Sequence, residues 1–233
     1  HNKFEMKTIG IIPSRFASSR FLGKPLVDIN GKTMIRRVYE QAIQAKTLDE
    51  VWVATDDERI FNEVKSFNGN VVMTSALHKN GTERCAEVAA ANNADVVINI
   101  QGDEPFLSPK QIEKLITCFE NKKTGIATLV KRISNEDELQ SRSTPKVLLN
   151  KKNMALNFSR EIIGGGDKKL KPDFRNYFKH IGIYAFRYSV LKKIVKLKPT
   201  ENELREKLEQ LRWLDNGFNI QTAETKIETL AID

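Results

Sequence analysis

The sequence predicts an α/β fold, a mostly parallel sheet flanked by helices with a smaller lobe, and three observations lead there. Short β-rich runs alternate with segments of helical period through the first half of the chain, the pattern of parallel strands joined by crossover helices. Polar strings fall where those strands would end, which is where such sheets bind ligands. Beyond Gly125 the strand-like runs follow one another more closely, so that part is expected partly to extend the sheet and partly to form the lobe.

Taken in order, Thr8 to Ile12 reads as the first strand. Ile35, Val38, Tyr39, Ala42 and Ile43 then keep the i, i+3, i+4, i+7, i+8 spacing of a helix with one buried face. Val51 to Ala54 is the second strand, and Ile60, Phe61 and Val64 mark a weaker helix. Asn70 to Met73 and Val96 to Ile100 are further strands, with a helix through Cys85, Val88 and Ala89 between them. Ser108-Pro109-Lys110-Gln111 is a helix start, with a capping serine, proline at the first helical position and a capping-box glutamine. In the second half Ala127 to Val130, Lys146 to Leu149, Ala155 to Phe158 and Lys179 to Phe186 look like strands. Gly164 to Pro172 reads as a flexible loop. Leu204, Leu208, Leu211 and Asp215 keep helical spacing, which predicts one late helix from Glu203 to Leu214. No repeat or linker divides the chain, so residues 6–233 are expected to be a single domain. His1 to Glu5, ahead of Met6, reads as a remnant of a tag.

Of the 233 residues, 40% are hydrophobic and 29% charged, as in soluble globular proteins. No apolar run approaches the roughly 18 residues of a membrane span, and the start lacks a signal peptide's apolar segment. A cytoplasmic protein is expected. Cys85 and Cys118 are too few for a disulfide scaffold or a metal site, and both read as small buried hydrophobes. The net charge of +8 is regional: residues 122–198 hold 19 of the 38 Lys and Arg but 6 of the 30 Asp and Glu. That stretch has no helix-turn-helix or RNP-like string, so nucleic acid is not an expected partner. A solvated basic face, with some attraction for small anions, accounts for it.

The strings that carry chemistry sit at strand ends. Ile9 to Leu26 runs from an apolar strand through Pro13 into a loop with Arg15, Arg20 and Lys24, spaced by small residues. Several cations on a lean backbone suit a polyphosphate. Gly23-Lys24 is followed by Pro25, so the loop is not a Walker A motif. Thr55-Asp56-Asp57, Thr74-Ser75 and Gln101-Gly102-Asp103-Glu104-Pro105 end the other three strands. A carboxylate at Asp103, opposite the cationic loop, suits a magnesium ion shared with phosphate oxygens. Pro105 restrains Glu104 to an extended backbone. Gly81-Thr82-Glu83-Arg84 opens a helix, and Arg84 there can grip a carboxylate bidentately. His180, Gly182 and Tyr184 alternate onto one strand face, either as a pocket wall or as structural hydrogen-bonders. Glu209-Gln210 fits a pocket or an ordinary helix edge. No Ser/His/Asp order, zinc spacing or dinucleotide GxGxxG is present.

Together these strings resemble the 3-deoxy-manno-octulosonate (Kdo) cytidylyltransferases, the CMP-Kdo synthetases. The similarity runs from Met6 to Asp233 through IIPSRFASSRFLGKPL, VATDDE, NGTER, INIQGDEP, LNFSR, HIGIYAF and LEQLRWLDNG, in the family's order. Sialate cytidylyltransferases carry a Gly-Gly-Ser-Lys-Gly string and sugar-1-phosphate nucleotidyltransferases a GxGTR string; both are absent here. The resemblance implies a Rossmann-like sheet of the nucleotide-diphospho-sugar transferase type. Its nucleotide-binding half would span about residues 6–125, and its sugar-binding and dimerisation region about 126–215. The implied reaction moves CMP from CTP to the anomeric hydroxyl of Kdo, releasing pyrophosphate, for lipopolysaccharide synthesis in the cytoplasm by a homodimer with Mg2+. A related acidic sugar such as 8-amino-Kdo or a sialic acid, or an inactive sugar- or nucleotide-binding protein, stays open at this point.

Carried over by position, the resemblance implies that Arg15, Arg20 and Lys24 hold the CTP phosphates, with Arg15, Lys24 and Asp103 the catalytic set. Thr55, Asp56 and Ser75 would lie near cytosine or ribose, and Gln101 between nucleotide and sugar. Arg84, Arg160, His180, Tyr184, Glu209 and Gln210 would hold the sugar. Asp103 and Asp233 would be the metal ligands, Asp233 matching the aspartate of the family's closing I/V-D-T-P-E-D string, which is expected to continue beyond it. Leu22 stands where the family usually has proline, and Gly164 to Gly166 where it usually has an Ile-Pro string.

Overall fold

In the computed structural model, which describes residues 6–17, 22–163 and 173–228, the first strand, β1 (Thr8–Ser14), is buried at every position except Pro13. A strand apolar on both faces needs cover on both, and β1 lies inside the sheet. A short hairpin, β2 (Asp28–Ile29) and β3 (Lys32–Thr33), turns at Asn30-Gly31 and delivers the chain to α1 (Met34–Ala42). Thr33 Oγ1 caps that helix by accepting the Arg36 amide at 3.4 Å. β4 (Glu50–Thr55), α2 (Glu58–Ser66), β5 (Val71–Met73), α3 (Gly81–Ala91) and β6 (Val96–Asn99) follow in the expected alternation. α4 (Pro109–Thr117) begins at Pro109, and Gln111 Oε1 accepts the Ser108 amide at 3.3 Å.

The second half contributes β7 (Ile126–Arg132), α5 (Glu136–Gln140), β8 (Lys146–Leu149), β9 (Ala155–Ser159) and β10 (Phe178–Arg187). α6 (Tyr188–Ile194), α7 (Glu201–Glu206), α8 (Gln210–Asp215) and β11 (Ile220–Glu224) follow. Among the described residues one nine-stranded sheet runs β11-β7-β10-β6-β1-β4-β5, with β8 paired to β10 and β9 to β8. The pairs β1·β4, β1·β6, β4·β5 and β11·β7 are parallel, and β10 runs antiparallel between β6 and β7. The chain lays β4 and β5 on one side of β1, then returns to place β6 on the other. Strand order thus reverses between β1 and β6, and a crevice opens outside their carboxyl ends.

Apolar side chains fill both faces of the sheet. Ile35 and Val38 of α1, Ile60 and Val64 of α2, and Ile112 and Leu115 of α4 cover one. Cys85 and Val88 of α3, Leu191 of α6, and Leu211 and Trp213 of α8 cover the other. A small third cluster of Ile133, Leu139 and Tyr177 holds α5 against the lobe formed with β8 and β9. Lys146 lies inside that lobe with no exposure, its ammonium donating to the carbonyls of Ser141 (2.6 Å) and Arg160 (2.9 Å).

The expected late helix is two helices. Lys207 takes a left-handed conformation (φ 55°) as the cap of α7. Arg212 on α8 then turns back to bond both carboxylate oxygens of Glu203, at 2.7 and 2.6 Å. Leu204 points outward, 66% exposed, so its leucine spacing with Leu208 and Leu211 is not a single buried stripe. The hairpin β2–β3, helices α5 and α6, and the edge strand β11 add elements that the periodicity did not mark. Cys85 is fully buried as expected, whereas Cys118 is only partly so. The glycine-rich stretch Gly164 to Pro172 lies outside the described residues.

Trp213, 1% exposed, stands edge-on against Tyr184 and Phe186, with ring centroids at 5.0 and 5.3 Å. Trp213→Ala is expected to lower the free energy of urea unfolding by about 3–5 kcal/mol; a loss under about 1 kcal/mol would show that α8 is not docked through this ring.

Candidate functional site

At the reversal point between β1 and β6 the carboxyl ends of both strands open into a cleft of about 510 Å³. The close approach that shapes it is between α3 and β1. A Cβ on Gly81, the first residue of α3, would lie 3.2 Å from Pro13 Cγ and 3.3 Å from Pro13 Cβ, so only glycine lets the helix start reach the strand end comfortably. Asn80 caps that helix by accepting the Glu83 amide at 2.9 Å. Ser14, Asn99 and Thr82 join the lining. None of these three was singled out from the sequence. Asn99 was detectable as the polar end of VVIN, whereas Ser14 and Thr82 sit inside strings whose charged members drew attention.

One wall is cationic. Arg15 follows β1 and donates from Nη2 to the carbonyl of His78. Lys24 begins a single 3-10 turn, Lys24–Leu26, and its Nζ lies 3.1 Å from Asp103 Oδ2 across the cleft. The β6 backbone reaches past its last strand residue, since the Ile100 amide bonds Ile11 O at 2.8 Å. The chain then turns through Gln101, Gly102 and Asp103, all three on the cleft wall. Glu104 points inward, 8% exposed, and burial together with the neighbouring Asp103 charge pushes its carboxyl up to about 7. Leu22, the residue that departs from the resemblance in this loop, is 68% exposed and has little packing to disturb.

The opposite wall carries acids and a buried guanidinium. Glu209 lines the cleft and accepts from Thr82 Oγ1 at 3.0 Å. Burial raises its pKa, with the Thr82 bond and Arg212 pulling the other way. Arg84, 1% exposed, donates from Nη2 to Asp56 Oδ2 at 3.0 Å and from Nη1 to Thr74 Oγ1. Thr74 Oγ1 in turn donates to Thr55 O at 3.1 Å. Thus Asp56 meets the cleft through Arg84, and Thr55 is fully buried behind it. Ser75 stands aside, its amide on Glu87 and its hydroxyl accepting from Leu77.

Behind Glu209 lies an aromatic group. His180 contacts Tyr184 and Phe158 at ring-centroid distances of 5.1 and 5.2 Å. Thr128 Oγ1 donates to Ile183 O at 2.7 Å and so accepts the N–H of His180 Nε2, 2.8 Å away, which sets the histidine tautomer. Removal of the ring from water pushes the His180 pKa down to about 3. Tyr184 titrates well above the usual tyrosine range because of burial and the Glu209 charge. The Tyr184 hydroxyl and Gln210 Nε2 are buried without a hydrogen-bond partner among the described residues. Arg160 does not line the cleft. Its guanidinium donates to the carbonyls of Glu206 (2.8 Å), Arg142 (3.1 Å) and Lys207 (3.5 Å), holding the bend that leads to Glu209.

The structure therefore gathers Arg15, Lys24, Arg84, Gln101, Asp103 and Glu209 around one cleft. Arg20 and Asp233 lie outside the described residues. Among the described residues no group of three or more His, Cys, Asp or Glu is placed to hold a metal ion by itself. Asp103 nonetheless fits a hard cation. It offers carboxylate oxygens on the cleft wall, 36% exposed, and magnesium is commonly held by one or two carboxylates plus substrate phosphates.

A family model described as "Cytidylyltransferase" matches residues 9–226. The chain is 52% identical to a 3-deoxy-manno-octulosonate cytidylyltransferase of Parabacteroides distasonis, over 98% of this chain and 94% of the relative. It is 50% identical to the protein of that name from Bacteroides thetaiotaomicron, with 98% and 94% covered. Among solved structures, CMP:2-keto-3-deoxy-manno-octonic acid synthetase complexed with CTP superposes with a TM-score of 0.91 at 42% identity, covering 97% of this chain and 93% of that one.

The depressed His180 pKa makes stability acid-sensitive. The unfolded chain takes up a proton near 6.5 that the folded chain refuses until about 3, so this contribution is present above pH 6.5 and is lost as pH falls from 6.5 toward 3. Urea unfolding of the wild type should weaken over that window by up to ~1.4 kcal/mol per pH unit relative to His180→Asn. Parallel pH profiles for the two proteins would refute the assignment.

Proposed function

The chain belongs to the cytidylyltransferase family, and on that premise we propose that it transfers CMP from CTP to the anomeric hydroxyl of Kdo, giving CMP-Kdo and pyrophosphate for lipopolysaccharide synthesis. The observation that carries the site reading is the pair facing each other at the β1–β6 reversal, Lys24 and Asp103, 3.1 Å apart. A cation and a carboxylate so placed suit a phosphate and the metal that accompanies it.

In the transfer, the sugar hydroxyl gives its proton to solvent and its oxygen bonds the α-phosphorus as the bond from that phosphorus to the pyrophosphate oxygen breaks in line, and no side chain becomes covalent. Lys24 offsets charge on the α-phosphate, while Arg15 and Arg20 offset charge on the leaving pyrophosphate. When phosphate oxygens draw the Lys24 ammonium, Asp103 is released from its ion pair. Asp103 and Asp233 would hold magnesium, which supplies neutralising charge and lowers the pKa of the attacking hydroxyl. Gln101 lies where nucleotide and sugar meet, and Asp56, with Thr55 behind it, supports the nucleoside side.

On the sugar side, the unpartnered Tyr184 hydroxyl and Gln210 amide call for an external partner, because a buried polar group left unpaired costs roughly 1–3 kcal/mol. A polyhydroxy acid supplies such partners. His180 and Glu209 frame the same region. Arg84 presents to an acidic sugar a guanidinium already half neutralised by Asp56, and Arg160 acts through the bend it holds. The same proposal includes a homodimer in the cytoplasm. Among the described residues β9 pairs on one side only and leaves Leu156 55% exposed, which supports a second copy at that edge. No described helix is long and apolar enough to cross a membrane.

Pyrophosphate release with CTP and magnesium, measured against Kdo, 8-amino-Kdo and a sialic acid, tests the function. Kdo is expected to give the highest kcat/KM; preference for another sugar reassigns the substrate, and no release with any of them makes the chain a binding protein. Lys24→Ala is expected to lower kcat by about 10²–10³ with the sugar KM nearly unchanged, and an unaltered kcat would remove its assigned role. Asp103→Asn should abolish magnesium-dependent turnover. Activity retained in that variant refutes the metal assignment.

A further inference from the structure

Outside the cleft, one cluster is unexplained by the residues assigned so far. Phe16 follows Arg15, and its carbonyl accepts the Gly23 amide at 2.9 Å, so positions 16 and 23 are clasped to each other. Gly23 has φ 73°, and a Cβ there would meet Phe16 Cε2 and Cζ at 3.1 Å. On the Phe16 ring lies the guanidinium of Arg59, its central carbon 3.2 Å from the ring centroid. Arg59 sits in the first turn of α2 and is held flat by Asp57, with Nη2 2.6 Å from Oδ2 and Nε 3.0 Å from Oδ1. The same Asp57 Oδ1 caps the helix by accepting the Arg59 amide at 2.9 Å. Helix start, carboxylate, guanidinium, phenyl ring and glycine form one continuous stack.

The two residues that this stack brackets are the ones that face phosphate. Arg15 immediately precedes Phe16, and Lys24 immediately follows Gly23. Arg59 is not among the residues that line the cleft. A planar guanidinium on an aromatic face is attracted by the ring and, when paired bidentately, has little freedom to leave it. We propose that Arg59 is a positioning residue for the nucleotide: pinned by Asp57, it presses Phe16 against Gly23 and so fixes Arg15 and Lys24 at the spacing a triphosphate requires.

The inference rests on the cytidylyltransferase reading and has a distinctive kinetic signature. Without Arg59 the clasp populates arrangements in which the two cations are misplaced, and apparent affinity for CTP falls in proportion to the competent fraction. Once bound, the triphosphate itself gathers the cations, so turnover at saturation persists. Arg59→Ala is expected to raise the KM for CTP about tenfold, with kcat within about twofold and the sugar KM unchanged. Arg59→Lys should fall between, since it keeps a charge over the ring but loses the planar stack and the two-point pairing with Asp57. Phe16→Leu should shift the CTP KM in the same direction as Arg59→Ala. An unchanged CTP KM, or a rise shared equally by the sugar, overturns the proposal. If Arg59→Ala does not fold, Arg59→Lys and Phe16→Leu decide by the same split. Wild-type chain that releases no pyrophosphate defeats the functional reading alone; calorimetric titration with CTP then still decides, weaker binding by Arg59→Ala supporting the positioning role and equal binding refuting it.

Discussion

The interaction on which the cleft depends is the buried pair of Arg84 and Asp56. A guanidinium with 1% exposure must be compensated, and it is met by one carboxylate and one threonine hydroxyl. Those partners belong to the segments leaving β4 and β5, while Arg84 belongs to α3. The ends of β4 and β5 and the start of α3 are thereby tied at one charge. Breaking such a pair from one side leaves an uncompensated charge in the interior, which costs far more than the pair contributes when whole. The Gly81 approach to Pro13 adds the fourth element, β1, without a side chain between them. The cleft is therefore a rigid junction of strand ends and a helix start, and the cations opposite can be aimed at it.

Much of this was legible because the periodicities were clean. β1, β4, β5 and β6 are short apolar runs ended by polar strings, and α1 has a single buried stripe. Their convergence at one edge follows from parallel topology. What stayed hidden is what depends on one residue's conformation or on partner choice. A helical spacing carries no mark of a left-handed Lys207, so two helices looked like one. β11 alternates over only five residues and is paired on one side in the main sheet, which gives little apolar signal. The sequence shows that Arg84 suits a carboxylate; it does not say that Asp56 supplies one from within. Arg160 is the same case with main-chain carbonyls as partners.

The regional basic excess has a structural component. Lys179 lies between Glu138 and Glu228, Lys131 bonds Glu228 at 2.9 Å, and Arg132 meets Glu224 at 3.3 Å. Two of those acids come from the segment after position 198, beyond the basic stretch. Lys146 is buried on carbonyls, where burial and the charges of Arg142 and Arg160 depress its pKa. A charge imbalance along the sequence is thus partly a pairing pattern in space. Several cations that looked like a solvated face are paired, and one of them, Lys179, ties α5 to the main sheet through Glu138.

The position of β1 has a further consequence for how the protein is made. Its neighbours are β4 and β6, and its pairing with β6 joins Thr8 to Val96. On the ribosome the first strand therefore waits with one face of its hydrogen bonds unmet until nearly a hundred residues have emerged, roughly 5–20 s at common synthesis rates. β10 then adds against β6, and β11 closes the far edge on β7. The sheet through β6 can take shape during translation, while β10, β11 and α8, beside Glu209, must await the chain's last third. Nascent chains paused between those stages would expose the β6 edge, and there a chaperone or a neighbouring nascent chain has its opening.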